Sequence, residues 1–285
     1  MANQIDLHTH TTASDGTLTP AELMAHAREL GLSTVAITDH DTMNGVAEAQ
    51  VAGEELGVEV IPGIEISTDY RGEDTHVLGY GMDKDAPALR EVLDWVIEDR
   101  RRRNGKIVER MRRDGIDISL EELEVQNPGA TIGRPHFARV LVAQGIAGSV
   151  SDAFARFLSA GKQYYLPRTY IPMKDAVNVI RNCGGTAVLA HPLQYGYSEE
   201  ELYDLVRYAA EAGMSGMEIY YTGYTAEQID RLSVLAAEFG LFTTGGSDFH
   251  GANKLDIELG RGHGALIVPS KCLTDLKAHM PEGNA

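Results

Sequence analysis

Residues 33–41 read STVAITDHD, a run of small and β-branched residues that passes without a break into four polar ones, three of them ionisable. Such a run fits a short strand whose C-terminal end carries chemistry. The same shape recurs in IDLHTH (5–10), VEVIPGIEIS (58–67), HVLGYGM (76–82), TAVLAHP (186–192), GMEIYY (216–221), LFTTGGSDFH (241–250) and GALIVP (264–269). Between these runs lie stretches with helical apolar spacing, such as PAELMAHARELG (20–31) and EEELYDLVRYAAEAG (199–213), which is the alternation of βαβ units around a parallel sheet. Thr19 is placed to cap the helix that opens at Pro20, with Glu22 three residues later and Gly31 to stop it. Seven or eight strands that finish in polar residues point to a barrel, because parallel barrels collect their chemistry at the C-terminal strand ends.

The alternation stops between 86 and 166, where helical segments follow one another from about Ala86 to Arg113 and from near Leu120, Pro135 and Ser151. The expected organisation is an α/β barrel built from 1–85 and 167–285, with 86–166 as a helical insertion that forms a lid over the substrate. The chain carries 25 basic and 42 acidic residues, a net charge of −17, which disfavours tight binding of a long nucleic acid over the whole surface. Residues 100–113, RRRRNGKIVERMRR, hold +7 of that balance and leave −24 for the rest. An island of this kind either serves a small anionic substrate or is a solvated helix face.

With 285 residues, 43% of them apolar, the chain can build one large globular domain or two small ones. No stretch approaches the roughly 18 uncharged apolar residues of a membrane span, and MANQIDLHTHTT lacks a basic region followed by an apolar run, so the expectation is a cytoplasmic protein without a membrane partner. Cys183 and Cys272 form no paired spacing, which argues against a disulfide framework and a cysteine zinc site. The tail PEGNA (281–285) is expected to fray.

His8 and His10 are two apart, so an extended strand points both rings one way, and Asp15 follows after a short turn. In the 38–41 run TDHD, alternation turns only some groups to the centre. His40 is taken as the inward one, with Asp39 and Asp41 supporting it. Glu65, His76, His191, Asp248 and His250 complete the set, which uses six of the ten histidines. His26 sits on an amphipathic helix, and His263 and His279 have no evident partner. Imidazole and carboxylate without thiolate point away from a purely structural zinc site. Nine donors exceed the capacity of one ion, so two or three divalent cations are expected, Mn2+ first, with Zn2+, Fe2+ or Mg2+ as alternatives and Glu65 able to bridge. Three such ions bring +6 against −3 from Asp15, Glu65 and Asp248, an excess of about +3 that attracts hydroxide and phosphate.

Taken together, HTHTTASDG, TDHDT, PGIEIS, HVLGYG, AHP and SDFHG, in that order, resemble the polymerase and histidinol phosphatase (PHP) family. The resemblance implies a distorted (β/α)7 TIM-like barrel with a trinuclear metal site that hydrolyses phosphoesters. It implies one metal shell of His8, His10, Glu65 and Asp248, a second of Glu65, His76 and His191, and a third of Asp15, His40 and His250. The insertion and its segment IGRPHFARVL (132–141) are similar to a group that removes the 3′ phosphate from nucleoside 3′,5′-bisphosphates and also includes 5′-to-3′ exoribonucleases acting on short RNA.

Pro135 suits a first helical turn, whose amides meet anions, and Arg134 supplies a fork for phosphate. His136 either lines the same entrance or caps the helix, and Lys162 is a further candidate phosphate contact. The expected reaction is attack of a metal-bound hydroxide on phosphorus, as in adenosine 3′,5′-bisphosphate to AMP and phosphate. The expected substrate is therefore a small anionic nucleotide, with short RNA or histidinol phosphate as alternatives and no long duplex. A metal-dependent amidohydrolase and a non-catalytic nucleotide-binding barrel are the readings from other classes. The first lacks support from TDHD and PGIE, and the second from a donor set with no member missing.

Overall fold

In the computed structural model, which describes residues 4–281, seven strands run in the order β1 (Gln4–Asp6), β2 (Leu32–Ile37), β3 (Glu59–Tyr70), β4 (Glu73–Tyr80), β6 (Thr186–Leu189), β7 (Gly216–Tyr221) and β8 (Phe242–Gly246). A two-residue strand, β5 (Ile171–Pro172), pairs with the C-terminal part of β3. Leu7 N donates to Gly245 O at 3.2 Å and Thr9 bridges to Phe249, so the last strand turns back onto the first and the sheet closes. The expectation for the tail beyond Pro281 lies outside the described residues.

Strand alternation sorts the apolar residues onto two faces. Val35, Ile37, Val77, Ala187, Leu189 and Met217 join the layer between sheet and outer helices. Ala36, Ile61, Leu78, Val188 and Ala190 face the barrel interior with Ile5, Leu7 and Tyr80. That interior is stopped below by α10 (Ser270–His279), through Cys272 and Leu276. On β3 the inward parity that places Ile61 in this cluster continues to Glu65, so one strand face carries core and then chemistry.

The outer helices are α1 (Pro20–Leu30), α2 (Val46–Leu56), α7 (Met173–Asn182), α8 (Glu199–Ala212) and α9 (Ala226–Glu238). The α1 cap is the expected one: Thr19 Oγ1 accepts from Glu22 N at 3.2 Å, Glu22 Oε2 accepts from Thr19 N at 2.8 Å, and Gly31 ends the helix at φ 76°.

Two expectations about strands are corrected. The sheet is not wholly parallel, since β4 runs antiparallel to both β3 and β6. Arg71 and Gly72 form a two-residue hairpin with φ 56° and 87°, a turn that returns the chain immediately and leaves no room for a crossover helix. The reversal puts His76, near the start of β4, at the same barrel end as the C-termini of the other strands. The run GALIVP is not a strand either. Its Val268 packs into the interior cluster while Pro269 caps α10, so burial at the barrel floor takes the place of pairing.

The insertion comprises α3 (Pro87–Arg113), α4 (Leu120–Gln126), α5 (Arg134–Ala143) and α6 (Val150–Ala153), the last running into a π-turn at Phe154–Leu158. At 27 residues, α3 is about 40 Å long. Leu89 and Val96 anchor its first half on the barrel layer, whereas Ile107, Val108 and Met111 pack with Phe137 and Leu141 in a separate cluster. Thr131 N donates to Ala13 O at 2.9 Å and ties this unit to the loop after β1. Among the described residues no helix is long and apolar enough to cross a membrane.

Candidate metal centre

The loops that end the strands are held by their own polar residues. Asp39 accepts from Thr11 N and Thr11 Oγ1, both at 2.7 Å, and from Ser14 Oγ at 2.6 Å, fixing the turn between His10 and Asp15. Gly16 allows that turn to close, because a Cβ there would stand 2.4 Å from His10 O. Gly246 does the same for β8, where a Cβ would lie 2.3 Å from His8 Cβ. Asp41, His191 and Asp248 take positive φ of 54°, 26° and 57°, conformations costing roughly 1–3 kcal/mol each that cluster where function requires them.

All nine candidate donors converge. Glu65 is their hub: Oε1 lies 2.8 Å from His76 Nδ1 and 2.9 Å from His191 Nε2, and Oε2 lies 3.3, 3.2 and 3.1 Å from nitrogens of His8, His10 and His40. His10 Nε2 is 3.2 Å from Asp248 Oδ1, and His250 Nε2 is 3.2 Å from Asp15 Oδ1. Donor atoms gather in four overlapping groups: His10, Asp15, His40 and His250; His8, Glu65 and His191; His8, His10 and Asp248; His40, Glu65 and His76.

Imidazole nitrogens also face one another, His8 and His10 at 3.2 Å and His76 and His191 at 3.3 Å. Among the described residues, His10 Nδ1, Asp15 Oδ1, His40 Nδ1, Glu65 Oε2 and His191 Nδ1 are buried without a hydrogen-bond partner. Lone pairs brought together at this depth are costly unless a cation is shared among them, so the donor set fits divalent metal ions.

Burial pushes His40 down to about 3. Burial opposes charge on His8, His10 and His76 as well, but Glu218 and Glu65 hold His8 well above the usual imidazole range, Asp248 and Glu65 raise His10 to about 9, and Glu65 with Asp74 raises His76 to about 10. These three rings are therefore protonated at neutral pH before metal arrives, and a cation must displace the protons. Loading Mn2+ into chelator-treated protein at pH 7.5 is expected to release on the order of three protons per chain. Calorimetry in buffers of different ionisation enthalpy reads that number, and a value of zero would contradict the ligand assignment.

 A family model described as PHP domain matches residues 6–170, which carry six of the nine donors on β1 to β4 and their loops. These six are His8, His10, Asp15, His40, Glu65 and His76. His191, Asp248 and His250 lie beyond that span. The chain belongs to the PHP domain family. It is 39% identical over 258 residues to the 5′-3′ exoribonuclease Rnm of Escherichia coli, covering 90% of this chain and 88% of that one. It is 33% identical over 258 residues to the 3′,5′-nucleoside bisphosphate phosphatase of Chromobacterium violaceum, covering 88% of each. Among solved structures, a candidate metal-dependent phosphoesterase from Bifidobacterium adolescentis superposes with a TM-score of 0.87 at 33% identity, covering 99% of this chain and 98% of that one. The chain is accordingly a metal-dependent hydrolase of phosphoester bonds.

Several residues that support this PHP centre escape a reading of the sequence alone. Glu218, on the inward face of β7, accepts from His8 Nδ1 at 3.0 Å and from His191 N at 2.9 Å, which turns His8 Nε2 toward the donors. A carboxylate inside the apolar run GMEIYY was the available signal. Asp248 Oδ2 accepts from Tyr221 OH and from Lys254 Nζ, both at 2.6 Å. Asp41 points away from the donors, accepting from Ser67 N at 2.9 Å and Arg100 Nε at 2.8 Å, with Arg168 Nη1 at 3.4 Å.

The insertion and the segment just after it set an arginine cluster beside the PHP centre. Arg134 lies 3.8 Å from Asp74 and over the Tyr165 ring, and Arg168 lies 4.0 Å from Asp74 and over the Tyr170 ring. Arg103 is buried and, among the described residues, has only Asn104 Oδ1 as acceptor. Its burial and the charges of Arg100, Arg168 and Arg134 push it down to about 9. His136 is a cap, since its Nδ1 accepts from Gly133 N at 3.1 Å, and burial with the nearby Arg139 pushes it down to about 4. Lys162 is exposed on the turn after the π-turn and joins no ion pair or side-chain hydrogen bond among the described residues.

Proposed function

We propose that the chain removes the 3′ phosphate of nucleoside 3′,5′-bisphosphates. His8, His10, Asp15, His40, Glu65, His76, His191, Asp248 and His250 hold two or three divalent cations, Mn2+ first among them. The observation that carries the substrate assignment is the arginine cluster: Arg100, Arg103, Arg134 and Arg168 bring four positive charges against Asp41 and Asp74, and among the described residues Arg103 has no carboxylate of its own. A buried guanidinium without an acid partner is costly unless an anion completes it, and a planar fork matches phosphate. The cluster therefore takes the 5′ phosphate while the 3′ phosphate lies over the nine donors, with 86–166 acting as the substrate lid.

Divalent cations there would polarise the phosphoryl oxygens and make water acidic enough to attack at neutral pH. The chain's own residues orient the reaction: Glu218 and Asp39 fix the donors, Tyr221 and Lys254 hold Asp248 by one oxygen, and the arginines align the nucleotide. A cytoplasmic setting belongs to the same proposal and is supported by Cys183 and Cys272, both free and buried.

Phosphate release from adenosine 3′,5′-bisphosphate and histidinol phosphate, each with Mn2+, Mg2+ and Zn2+, tests the reading. Arg134→Ala is expected to lower kcat/KM for the bisphosphate by about tenfold or more, the scale of a charged hydrogen bond. Full retention of activity would overturn its role. Arg103→Met is expected to lower the same constant while raising stability by about 1 kcal/mol, because it removes an uncompensated buried charge. Thermal melts read the second effect.

A further inference from the structure

We propose that Asp74 is a positioning residue that couples nucleotide binding at the arginine cluster to cation binding at His76. The inference rests on the reading above, that Arg134 and Arg168 belong to the cluster that takes the 5′ phosphate. It adds a residue that touches neither substrate nor cation. Asp74 and His76 are two apart on β4, so strand alternation turns both side chains to one face. The antiparallel course of β4 brings that face to the barrel end where the donors lie.

The two ring nitrogens of His76 face in different directions. Nδ1 lies 2.8 Å from Glu65 Oε1 and 3.3 Å from His191 Nε2, so it looks into the donors. Nε2 looks away from them, and its one partner among the described residues is Asp74 Oδ1 at 3.4 Å. A neutral ring that gives its Nδ1 lone pair to a cation carries its proton on Nε2, and a carboxylate beside that nitrogen fixes both the tautomer and the ring orientation. Asp74 Oδ1 is buried and accepts no hydrogen bond among the described residues, so it has the capacity to take this one.

The same carboxylate faces the arginines. Arg134 Nη2, in the first turn of α5, lies 3.8 Å from Oδ2, and Arg168 Nη2 lies 4.0 Å from Oδ1. Arg168 has a second carboxylate in Asp41 at 3.4 Å, whereas Arg134 has only Asp74 among the described residues. Both separations from Asp74 exceed hydrogen-bond length, so the guanidiniums share its charge without being locked to it. A phosphate that takes the two forks leaves Asp74 to the imidazole, which strengthens the hold of His76 on a cation. Linkage makes the effect reciprocal, since a cation at His76 draws on Asp74 and leaves the arginines to phosphate. Loss of the carboxylate therefore acts with opposite signs on the two ligands: it weakens the cation and removes an anion that competes with phosphate.

Mn2+ affinity of the chelator-treated full chain is read from the EPR signal of free Mn2+, with and without AMP, and AMP affinity of the metal-free chain by calorimetry. In the wild type, AMP is expected to tighten the weakest Mn2+ about tenfold. In Asp74→Asn, Mn2+ is expected to bind about tenfold more weakly and the AMP effect to shrink to about twofold or less, while AMP binds the metal-free chain at least as tightly as in wild type. Asp74→Glu, which keeps the charge, is expected to bring the coupling back to within about threefold of wild type. A folded Asp74→Asn that loses Mn2+ and AMP affinity in parallel reports a general structural loss and overturns the coupling. So does a wild type that binds AMP with its Mn2+ affinity unchanged, a result that needs no variant to fold. A wild type that binds no AMP overturns the assignment of the arginines to the 5′ phosphate, and the inference with it.

Discussion

Glu65→Gln is expected to abolish tight metal retention and to lower phosphoester hydrolysis by about three orders of magnitude or more. Glutamine keeps the shape of the side chain but removes its charge and turns an amide NH2 group toward imidazole nitrogens. Glu65 contacts five of the six histidines of the centre at 2.8 to 3.3 Å, so no neighbour can replace it. Burial alone would raise its pKa, but His40, His76 and His8 hold the carboxyl well below its usual range, so it serves as an anion throughout the working pH range. Metal content by elemental analysis and phosphate release from a bisphosphate check the result. A folded variant that keeps its metals and more than a tenth of its activity would remove Glu65 from the hub.

The second large effect is on stability. Asp41→Asn is expected to cost about 3–5 kcal/mol, the penalty for leaving partners of a broken buried ion pair uncompensated. In a chain of this size that is roughly a 10 °C fall in Tm. Asp41 is fully buried and is bonded twice by Arg100, through Nε at 2.8 Å and through Nη2, with Arg168 close by. Asparagine tolerates the φ of 54°, so the loss reports charge rather than backbone strain. Because Arg100 reaches Asp41 from α3, the same variant is expected to loosen the insertion. Faster amide exchange confined to α3 to α5 would show this, and an unchanged melt would show that the pair contributes no stability.

Local rules acted strongly enough to be read from the residues alone at several points. The capped helix from Pro20 to Leu30 and the long helix ending at Arg113 follow from spacing and caps. The position of donors such as His40 just past a strand end follows from runs such as STVAITDHD, whereas Glu65 lies inside β3, which continues to Tyr70, and His76 near the start of β4. The direction of β4 did not follow, although Arg71-Gly72 supports a tight hairpin, because an apolar run reads the same in either pairing direction. GALIVP has the residues of a strand but is used as floor packing, a choice made by what lies above it.

By itself the sequence determined which side chains are present, their parity along each strand, and hence that imidazoles and carboxyls end the strands while apolar residues fill the layers beneath. Closure of the sheet decided that donors from β1 and β8, some 240 residues apart in the chain, stand within 3.2 Å, as His10 and Asp248 do. It also decided that Glu218 holds His8, that Asp41 turns from the centre to Arg100, and that Arg103 is buried with no acid beside it among the described residues. Parity and capping are set by nearest neighbours in the chain, whereas partners brought from distant segments are fixed only when the strands close and desolvation forces each charged group to find whatever lies beside it.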